Sequence, residues 1–298
     1  GLDITKLASL LDTINDIDTT KDPKQDVVGK VYEYFLSKFA LAEGKGKGEF
    51  YTPKSIVNLI AEMIEPYKGI IYDPACGSGG MFVYSERFIE AHGGRKGQAA
   101  IYGQELSATT RKLACMNLAI RGIDYDMGQS HGDTFHNDQH PDLRADYVLA
   151  NPPFNIKGWG ADKLPKDPRW KYGVPPDGNA NYAWLQHMLA RLSAEGRAGI
   201  VLANGSMTTN TGGEGDIRTA MVKGDVVECM VALPGQLFAN TQIPACLWFL
   251  SNNKGAGKNG KQDRRKQVLF IDARKLASLI PGSRKQKEFS EAEIHQIA

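Results

Sequence analysis

The sequence has few cysteines and no long apolar run. Its four cysteines are widely separated among 298 residues, and no two of them form a Cys-x-x-Cys pair. This spacing fits a reducing compartment better than a disulfide framework. No apolar run reaches the roughly 18 residues of a membrane-spanning helix, and residues 1–20 contain no apolar signal-peptide core. We therefore expect a soluble, cytoplasmic protein without a membrane partner.

An excess of charge of one sign is also absent. The net charge is +2, so no strong overall field would attract the chain to nucleic acid. Any such binding must use local patches of charge. Hydrophobic residues make up 42% and charged residues 23% of the chain. This balance is ordinary for a globular protein and is sufficient for one substantial α/β core.

Short apolar runs alternate with amphipathic stretches along most of the chain. The runs typical of buried strands are Ile70–Tyr72, Ala99–Tyr102, Tyr147–Ala150, Gly199–Ala203, Val226–Leu233 and Ala245–Leu250. Helical spacing is found at Lys54–Glu65, 81–92, 107–121, 181–195 and 214–223, with Gly93, Gly122 and Gly196 in C-cap positions. This alternation predicts a parallel sheet with helices on both faces.

The first part of the chain has a different character. Val27, Val31, Tyr34 and Phe35 repeat at helical spacing, and the glycine-rich stretch Glu43–Gly48 follows them as a flexible linker. We therefore divide the chain into residues 1–48, interpreted as a truncated helical domain with its linker, and one α/β domain over residues 49–298.

A glycine-rich turn follows the first predicted strand. Residues 73–80 have the sequence Asp-Pro-Ala-Cys-Gly-Ser-Gly-Gly, and glycine there lets the backbone approach a ligand closely. A dinucleotide site would need G-x-G-x-x-G and an acid about 20 residues later. Here Glu105 follows the second strand, where it can accept both hydroxyls of a ribose, and Asp73 suits an ammonium group. This pattern favours S-adenosyl-L-methionine as the cofactor.

Asp133, in Gly132-Asp-Thr-Phe135, follows the predicted third strand. It could accept a hydrogen bond from the amino group of the cofactor's adenine, or it could form an Asx turn. Three histidines lie nearby in sequence, but the segment is a polar loop and methyl transfer needs no metal. We therefore expect no metal site.

The four residues Asn151-Pro-Pro-Phe154 are the most specific motif in the chain. Pro152 and Pro153 fix the backbone and remove two N–H donors. The side-chain oxygen of Asn151 and the carbonyl of Pro152 could then accept both hydrogens of an exocyclic amine. Phe154 offers a face on which an extruded base can stack. Catalysis would consist mainly of positioning and electrostatics, since a sulfonium methyl group is already activated.

The segment Asn155–Ala180, rich in glycine and proline, contains Trp159 and Trp170. We interpret it as a flexible lid over the extruded base that is mobile without DNA, with a disordered surface loop as the alternative. It has no predicted helix or strand long enough to fill a major groove, which leaves sequence selection to another polypeptide.

Five motifs in order resemble a known family. They are Gly48-Glu-Phe-Tyr-Thr-Pro53, residues 73–80, Gly-Gln-Glu-Leu at 103–106, Asn151–Phe154 and Phe238-Ala-Asn-Thr-Gln-Ile-Pro244-Ala-Cys-Leu-Trp248. From about residue 24 onward the chain resembles the modification (M) subunit of type I restriction-modification systems. The resemblance implies a Rossmann-like, seven-stranded S-adenosylmethionine-dependent methyltransferase sheet in residues 49–298 and methylation of adenine at N6.

The resemblance also implies site residues and partners. The residues expected to contact the cofactor are Glu49, Phe50, Tyr51, Thr52, Pro53, Lys54, Gly77, Ser78, Gly79 and Glu105. Asn151–Phe154 would hold the adenine. The implied partners are double-stranded DNA, a specificity (S) subunit, a restriction (R) subunit and a second M subunit.

Other activities use similar motifs. A C5-cytosine methyltransferase needs a nucleophilic cysteine near this loop, and no cysteine follows Pro152 or Pro153. N4-cytosine methylation uses the same amine chemistry, and its loop usually begins with Ser or Asp. A glutamine-N5 protein methyltransferase shares the Asn-Pro-Pro-aromatic loop, but the segments at 50–53 and 238–244 argue against it. A non-catalytic scaffold for the S subunit is disfavoured by the intact motifs.

Overall fold

The computed structural model describes residues 52–238, 243–257 and 262–298, together with Gly29, Val31 and Tyr32. The chain divides into two compact units, Gly1–Glu43 and Gly44–Ala298. The three described residues of the first unit are helical. The domain boundary that we place after Gly48 stays a prediction.

Helices and strands alternate through the described part of the second unit. The helices are α1 (Lys54–Ile64), α2 (Gly80–Ala91), α3 (Ala108–Ile120), α4 (Asn181–Arg191), α5 (Glu214–Lys223) and α6 (Glu291–Ile297). The strands are β1 (Gly69–Asp73), β2 (Ala99–Gly103), β3 (Tyr125–Asp126), β4 (Ala145–Ala150), β5 (Leu192–Ala203), β6 (Val227–Ala232), β7 (Ala245–Ser251), β8 (Leu269–Asp272), β9 (Ser278–Leu279) and β10 (Lys287–Glu288).

Strands β1 to β8 form one sheet in the order β3-β2-β1-β4-β5-β7-β6-β8. The strands from β3 to β5 in this order are parallel, whereas β7 runs antiparallel between β5 and β6. The sheet has one strand more than the seven expected, because β8 adds to its edge beside β6. Leu269 and Phe270 of β8 are 58% and 71% exposed, so this strand differs from the buried apolar runs that identify the others.

Helices cover both faces of the sheet. Leu149 and Val201 lie in a core formed with α1, α2, α3 and α6, whereas Val148 and Ile200 lie in a core formed with α4 and α5. This alternation is the one that a sheet buried on both sides requires. The predicted α/β class is confirmed. Within the described ranges, no helix is both long and apolar enough to cross a membrane.

One predicted helix ends early. The helix expected over 181–195 ends at the C-terminus of α4, and Gly196 lies within β5 instead of capping a helix. A Cβ at Gly196 would lie 2.8 Å from the backbone oxygen of Ala145, so the close approach of β4 explains the glycine. Gly93 and Gly122 do follow α2 and α3, with φ angles of 79° and 60°.

Candidate active site

Three parallel strands bring the principal predicted site residues to one edge of the sheet. β1 lies between β2 and β4, and Asp73 is its last residue. Glu105 comes two residues after β2, and Asn151 directly follows β4. Neighbouring strands lie ~4.8 Å apart. The three side chains therefore share the carboxyl edge, where open α/β sheets bind their ligands.

The glycine-rich turn is joined to the turn after β2. Gly77 and Gly79 have φ angles of 56° and 79°, which favour glycine. The Gly77 N–H donates to Oε2 of Glu105 at 3.1 Å, and the Cys76 N–H donates to the carbonyl oxygen of Gln104 at 3.0 Å. These two hydrogen bonds therefore join the two turns at the carboxyl edge of the sheet.

Glu105 is oriented by backbone donors on both sides. Its Oε2 accepts from Gly77, and its Oε1 accepts from the N–H of Ser107 at 2.8 Å. The two backbone donors therefore hold the carboxylate in place at the carboxyl edge of the sheet.

Asp133 forms the Asx turn that its sequence context allows. Its Oδ1 accepts from the N–H of Phe135 at 2.8 Å. The N–H of Gly132 donates to the carbonyl oxygen of Glu105 at 3.0 Å, so the turn lies beside the end of β2. The contact of Asp133 with a cofactor stays a prediction.

The nearby histidines bind the backbone. His136 Nε2 lies 2.8 Å from the carbonyl oxygen of Trp159, and His140 Nε2 lies 2.9 Å from that of Gly103. No cluster of His, Cys, Asp or Glu in the part of the chain that the structure describes could hold a metal ion.

Asp73 is the buried carboxyl group of the site. It is 1% exposed, and its Oδ1 accepts from the N–H of Ala75 at 3.0 Å. Burial raises the pKa of Asp73 to about 8, Glu105 adds to the rise, and the hydrogen bond from Ala75 opposes it. The ligand-free carboxyl is therefore protonated at neutral pH, and a cationic group bound beside it would favour its ionisation.

Asp73→Asn is expected to change how the stability of the ligand-free chain depends on pH. Above its ordinary pKa of 3.8, the folded chain keeps a proton that the unfolded chain loses, until the pH passes about 8. The contribution of Asp73 to the free energy of unfolding therefore falls by up to about 1.4 kcal/mol per pH unit as pH rises through this window. The variant should become more stable relative to the unsubstituted chain over the same window.

Urea denaturation at several pH values would measure this difference, with Asp124→Asn, a change of an exposed carboxylate, as the control. A difference between Asp73→Asn and the unsubstituted chain that stays constant with pH would contradict the raised pKa.

Asn151 presents a buried oxygen atom at the end of β4. Its Nδ2 donates to Oγ1 of Thr52 at 3.0 Å. Its Oδ1 is buried and has no hydrogen-bond partner among the described residues. Leaving a buried acceptor unpaired costs about 1–3 kcal/mol. Such an atom beside a glycine-rich turn indicates a position where a ligand donates a hydrogen bond.

The rest of the motif is held by packing. Pro152 is buried and Pro153 is half-buried. The ring of Phe154 meets that of Phe238 edge-on, with centroids 6.0 Å apart and an interplanar angle of 81°. The half-buried Phe154 therefore has a fixed orientation at the edge of the site.

Two asparagines that were not predicted as site residues fix the backbone directly after the Asn-Pro-Pro-Phe motif. Asn155 has a φ angle of 56°, which asparagine tolerates better than most residues. Asn181, at the start of α4 and 1% exposed, accepts from the Asn155 N–H at 3.0 Å and donates to Asn155 Oδ1 at 2.9 Å. The sequence signal that could have identified them is a pair of asparagines at either end of one loop.

The segment Asn155–Ala180 has many exposed residues but is anchored to the core by buried side chains, which argues against its interpretation as a flexible lid. Trp159 and Trp170 are buried, and their ring centroids lie 4.9 and 6.3 Å from that of Phe135. Arg169, 8% exposed, donates to the carbonyl oxygen of Phe135 at 2.6 Å. Both tryptophans are core residues, and the segment is anchored to the loop that contains Asp133.

Two buried amides, also missed from the sequence, support the site. Gln104 is fully buried, and its Nε2 donates to the carbonyl oxygens of Gly132 at 3.1 Å and Asn137 at 2.8 Å. Asn117 on α3 donates to the carbonyl oxygen of Ser78 at 2.7 Å. The place of Gln104 in the Gly-Gln-Glu-Leu motif was an available signal, whereas no sequence pattern distinguishes Asn117.

The segment before α1 reaches the site through Thr52. Three of its predicted cofactor contacts lie outside the described residues: Glu49, Phe50 and Tyr51. Thr52 contacts Asn151. Pro53 is the residue before α1, and the exposed Lys54 begins that helix.

The strand order and the glycine-rich turn define the class of S-adenosylmethionine-dependent methyltransferase folds. A solved structure described as a putative class I S-adenosylmethionine-dependent methyltransferase from Listeria monocytogenes is similar in fold, with a TM-score of 0.64. The sequence identity is 17%, and the match covers 84% of this chain and 74% of that one.

The family model described as N-6 DNA Methylase matches residues 23–298, and the chain belongs to this family. The type I restriction enzyme HindI methylase subunit of Haemophilus influenzae is 56% identical over 274 residues, which cover 92% of this chain and 60% of the relative. The type I restriction-modification system methyltransferase subunit from Streptococcus thermophilus has a TM-score of 0.84 at 27% identity, covering 98% of this chain and 60% of that one.

The family resemblance of the five motifs is confirmed. The chain spans about 60% of the length of each of these two relatives.

Proposed function

We propose that this chain is the catalytic part of a DNA methyltransferase subunit that transfers a methyl group from S-adenosylmethionine to N6 of an extruded adenine. The observation that carries the proposal is the buried Oδ1 of Asn151 at the carboxyl edge of the sheet, which has no hydrogen-bond partner among the described residues. Membership of the N-6 DNA methylase family supports it.

The glycine-rich turn and three carboxyl groups fit the cofactor. Gly77–Gly79 would let the backbone approach it, and Glu105 would accept from the ribose hydroxyls. Asp73 would face the ammonium group and lose its proton there, since a nearby cation lowers the pKa of a carboxyl. Asp133 would accept from the adenine amino group. The cofactor supplies a methyl group that is activated by its positively charged sulfur.

The Asn-Pro-Pro-Phe motif would position the adenine. Oδ1 of Asn151 and the carbonyl oxygen of Pro152 accept the two hydrogens of N6. These hydrogen bonds oppose delocalisation of the nitrogen lone pair into the ring and stabilise the positive charge that develops on nitrogen. Phe154, oriented by Phe238, stacks on the extruded base.

We also propose that the substrate is double-stranded DNA and that an S subunit, an R subunit and a second M subunit complete the assembly. The Haemophilus relative is named as a methylase subunit of a type I restriction enzyme. In this chain the segment Asn155–Ala180 packs into the core, and the helices after it cover the sheet. Base recognition in a groove therefore falls to another subunit.

The proposal is tested with the full-length chain co-expressed with the S subunit of the same restriction-modification system. Labelled methyl groups should pass from S-adenosylmethionine to DNA and appear as N6-methyladenine at one sequence. Detection of N4-methylcytosine or methylated glutamine would show that the substrate is cytosine or a protein glutamine. The absence of any methyl transfer would favour a non-catalytic scaffold for the S subunit. A sequence-specific footprint by the chain alone at moderate salt would contradict the role given to the S subunit.

Glu105→Ala is expected to weaken S-adenosylmethionine binding by roughly 1.5–3 kcal/mol, the range for hydrogen bonds to a charged group. The variant loses the acceptor for the ribose and also the one for the Gly77 N–H. Isothermal calorimetry measures the affinity, and Glu90→Ala, a change of an exposed residue on α2, is the control. Unchanged affinity in a folded Glu105→Ala protein would exclude the assigned contact.

A further inference from the structure

The side-chain amide of Asn151 has two ends that differ in chemistry but hardly in shape. Its oxygen accepts hydrogen bonds, and its NH2 group donates them. A half-turn about the last side-chain bond exchanges the two ends at little steric cost. Under the proposed function only one orientation is productive, since an NH2 group facing the target amine would set donor against donor.

The contact with Thr52 selects between these orientations. Nδ2 of Asn151 donates to the Thr52 hydroxyl oxygen at 3.0 Å, although the two residues are 99 positions apart in the sequence. The opposite end, Oδ1, is buried without a partner in the described part of the chain. After a half-turn the Thr52 hydroxyl could donate to the oxygen instead, but the buried position would then hold two unpaired N–H donors in place of one unpaired acceptor.

We propose that the hydroxyl group of Thr52 positions Asn151 by accepting a hydrogen bond from its Nδ2, so that Oδ1 faces the amine to be methylated. The identity of that amine rests on the proposed function, whereas the contact between the two side chains does not. This role differs from the cofactor contact that the family resemblance implies for Thr52.

Thr52→Val keeps the shape of the side chain and removes its acceptor. The NH2 group of Asn151 then lacks its partner, and the productive orientation loses its advantage. Turnover at saturating cofactor and DNA should fall about 10- to 100-fold, the factor expected for an unpaired buried donor. Thr52→Ser keeps the hydroxyl and should restore turnover to within about threefold of the unsubstituted enzyme.

The Asn151→Asp background provides the decisive control. Both oxygens of a carboxylate accept hydrogen bonds, so a half-turn changes nothing, and the Thr52 hydroxyl can turn to donate. In this background the penalty of Thr52→Val should shrink to less than about threefold. The unsubstituted enzyme, Thr52→Val, Thr52→Ser, Asn151→Asp and the double variant of Thr52→Val with Asn151→Asp are compared in the assembled complex by their kcat values and by calorimetric affinity for S-adenosylmethionine.

An equal penalty in both backgrounds, or a Thr52→Ser protein as slow as Thr52→Val, would overturn the positioning role. If Thr52→Val weakened cofactor affinity and left kcat unchanged, Thr52 would be a cofactor contact and not a positioning residue.

A second measurement keeps the proposal separate from the proposed function. Urea denaturation of the full-length chain carrying Thr52→Val, Asn151→Ala or both changes needs no substrate. The two substitutions should be non-additive, because either one removes the same hydrogen bond. Additive effects would overturn the positioning proposal, whereas failure of methyl transfer with non-additive stability would overturn only the proposed function.

Discussion

Asn151→Ala is expected to reduce turnover at saturating S-adenosylmethionine and DNA by about 100-fold or more, as loss of one transition-state hydrogen bond does in other enzymes. The substitution removes Oδ1, the proposed acceptor for the target amine. The cofactor dissociation constant should change little, because Asn151 is assigned to the base and Asp73 and Glu105 to the cofactor. Initial rates in the assembled complex and calorimetry of the same protein measure the two quantities.

Two further variants sharpen this experiment. Asn58→Ala removes an exposed asparagine from α1 and should leave both quantities unchanged. Asn151→Asp keeps an acceptor oxygen and should retain more turnover than Asn151→Ala. A large rise in the cofactor dissociation constant with turnover preserved would show that Asn151 contacts the cofactor and not the substrate base.

Arg169→Met should lower the free energy of unfolding by ~3–5 kcal/mol, the effect of removing one partner of a buried ion pair. The guanidinium donates to both carboxylate oxygens of Asp167 and to the carbonyl oxygens of Thr134 and Phe135. Burial would raise the pKa of Asp167, but the hydrogen bonds from Arg169 hold it below its ordinary value. Without them a half-buried carboxylate and two carbonyl groups lose their donors.

The chain contains a matched control for this substitution. Asp263 and Arg265 repeat the two-residue spacing and the hydrogen bonds within the pair, but not the bonds to carbonyl groups; Arg265 Nε and the backbone N–H each lie 3.0 Å from Asp263 Oδ1. That pair is exposed, so Arg265→Met should leave stability unchanged within error.

Thermal denaturation should show a fall of roughly 10 °C for Arg169→Met alone. Equal effects at Arg169 and Arg265 would contradict the assigned role of burial. Because Arg169 anchors the loop that contains Asp133, the same variant should also bind S-adenosylmethionine more weakly.

Local patterns predicted most of the sheet. Strands β1, β4, β5, β6 and β7 are buried on both faces over much of their length and therefore contain continuous apolar runs, which a sequence displays directly. β8 was not predicted, because its position at the edge of the sheet leaves Leu269 and Phe270 exposed. The early end of α4 was not predicted either, because the reason for Gly196 is its close approach to the backbone of Ala145, on a strand distant in sequence.

The site divides in the same way. Asp73, Glu105 and Asn151 were predicted because each follows a strand, and parallel neighbouring strands must end at one edge. The hydrogen bonds that orient them depend on partners far away in the chain. Arg169 illustrates the difference, since its glycine- and proline-rich surroundings resemble a loop until the two nearby tryptophans are found in the core.

The order of residues along the chain was thus sufficient for the α/β class, the glycine-rich turn, the Asn-Pro-Pro-Phe motif and the family, because these depend on local periodicity and local backbone chemistry. The strand order, the packed state of Asn155–Ala180 and the contact of Thr52 with Asn151 were decided by the tertiary structure. Each joins residues that only the folded sheet brings within hydrogen-bonding or van der Waals distance, and burial there leaves Oδ1 of Asn151 without a hydrogen-bond partner among the described residues.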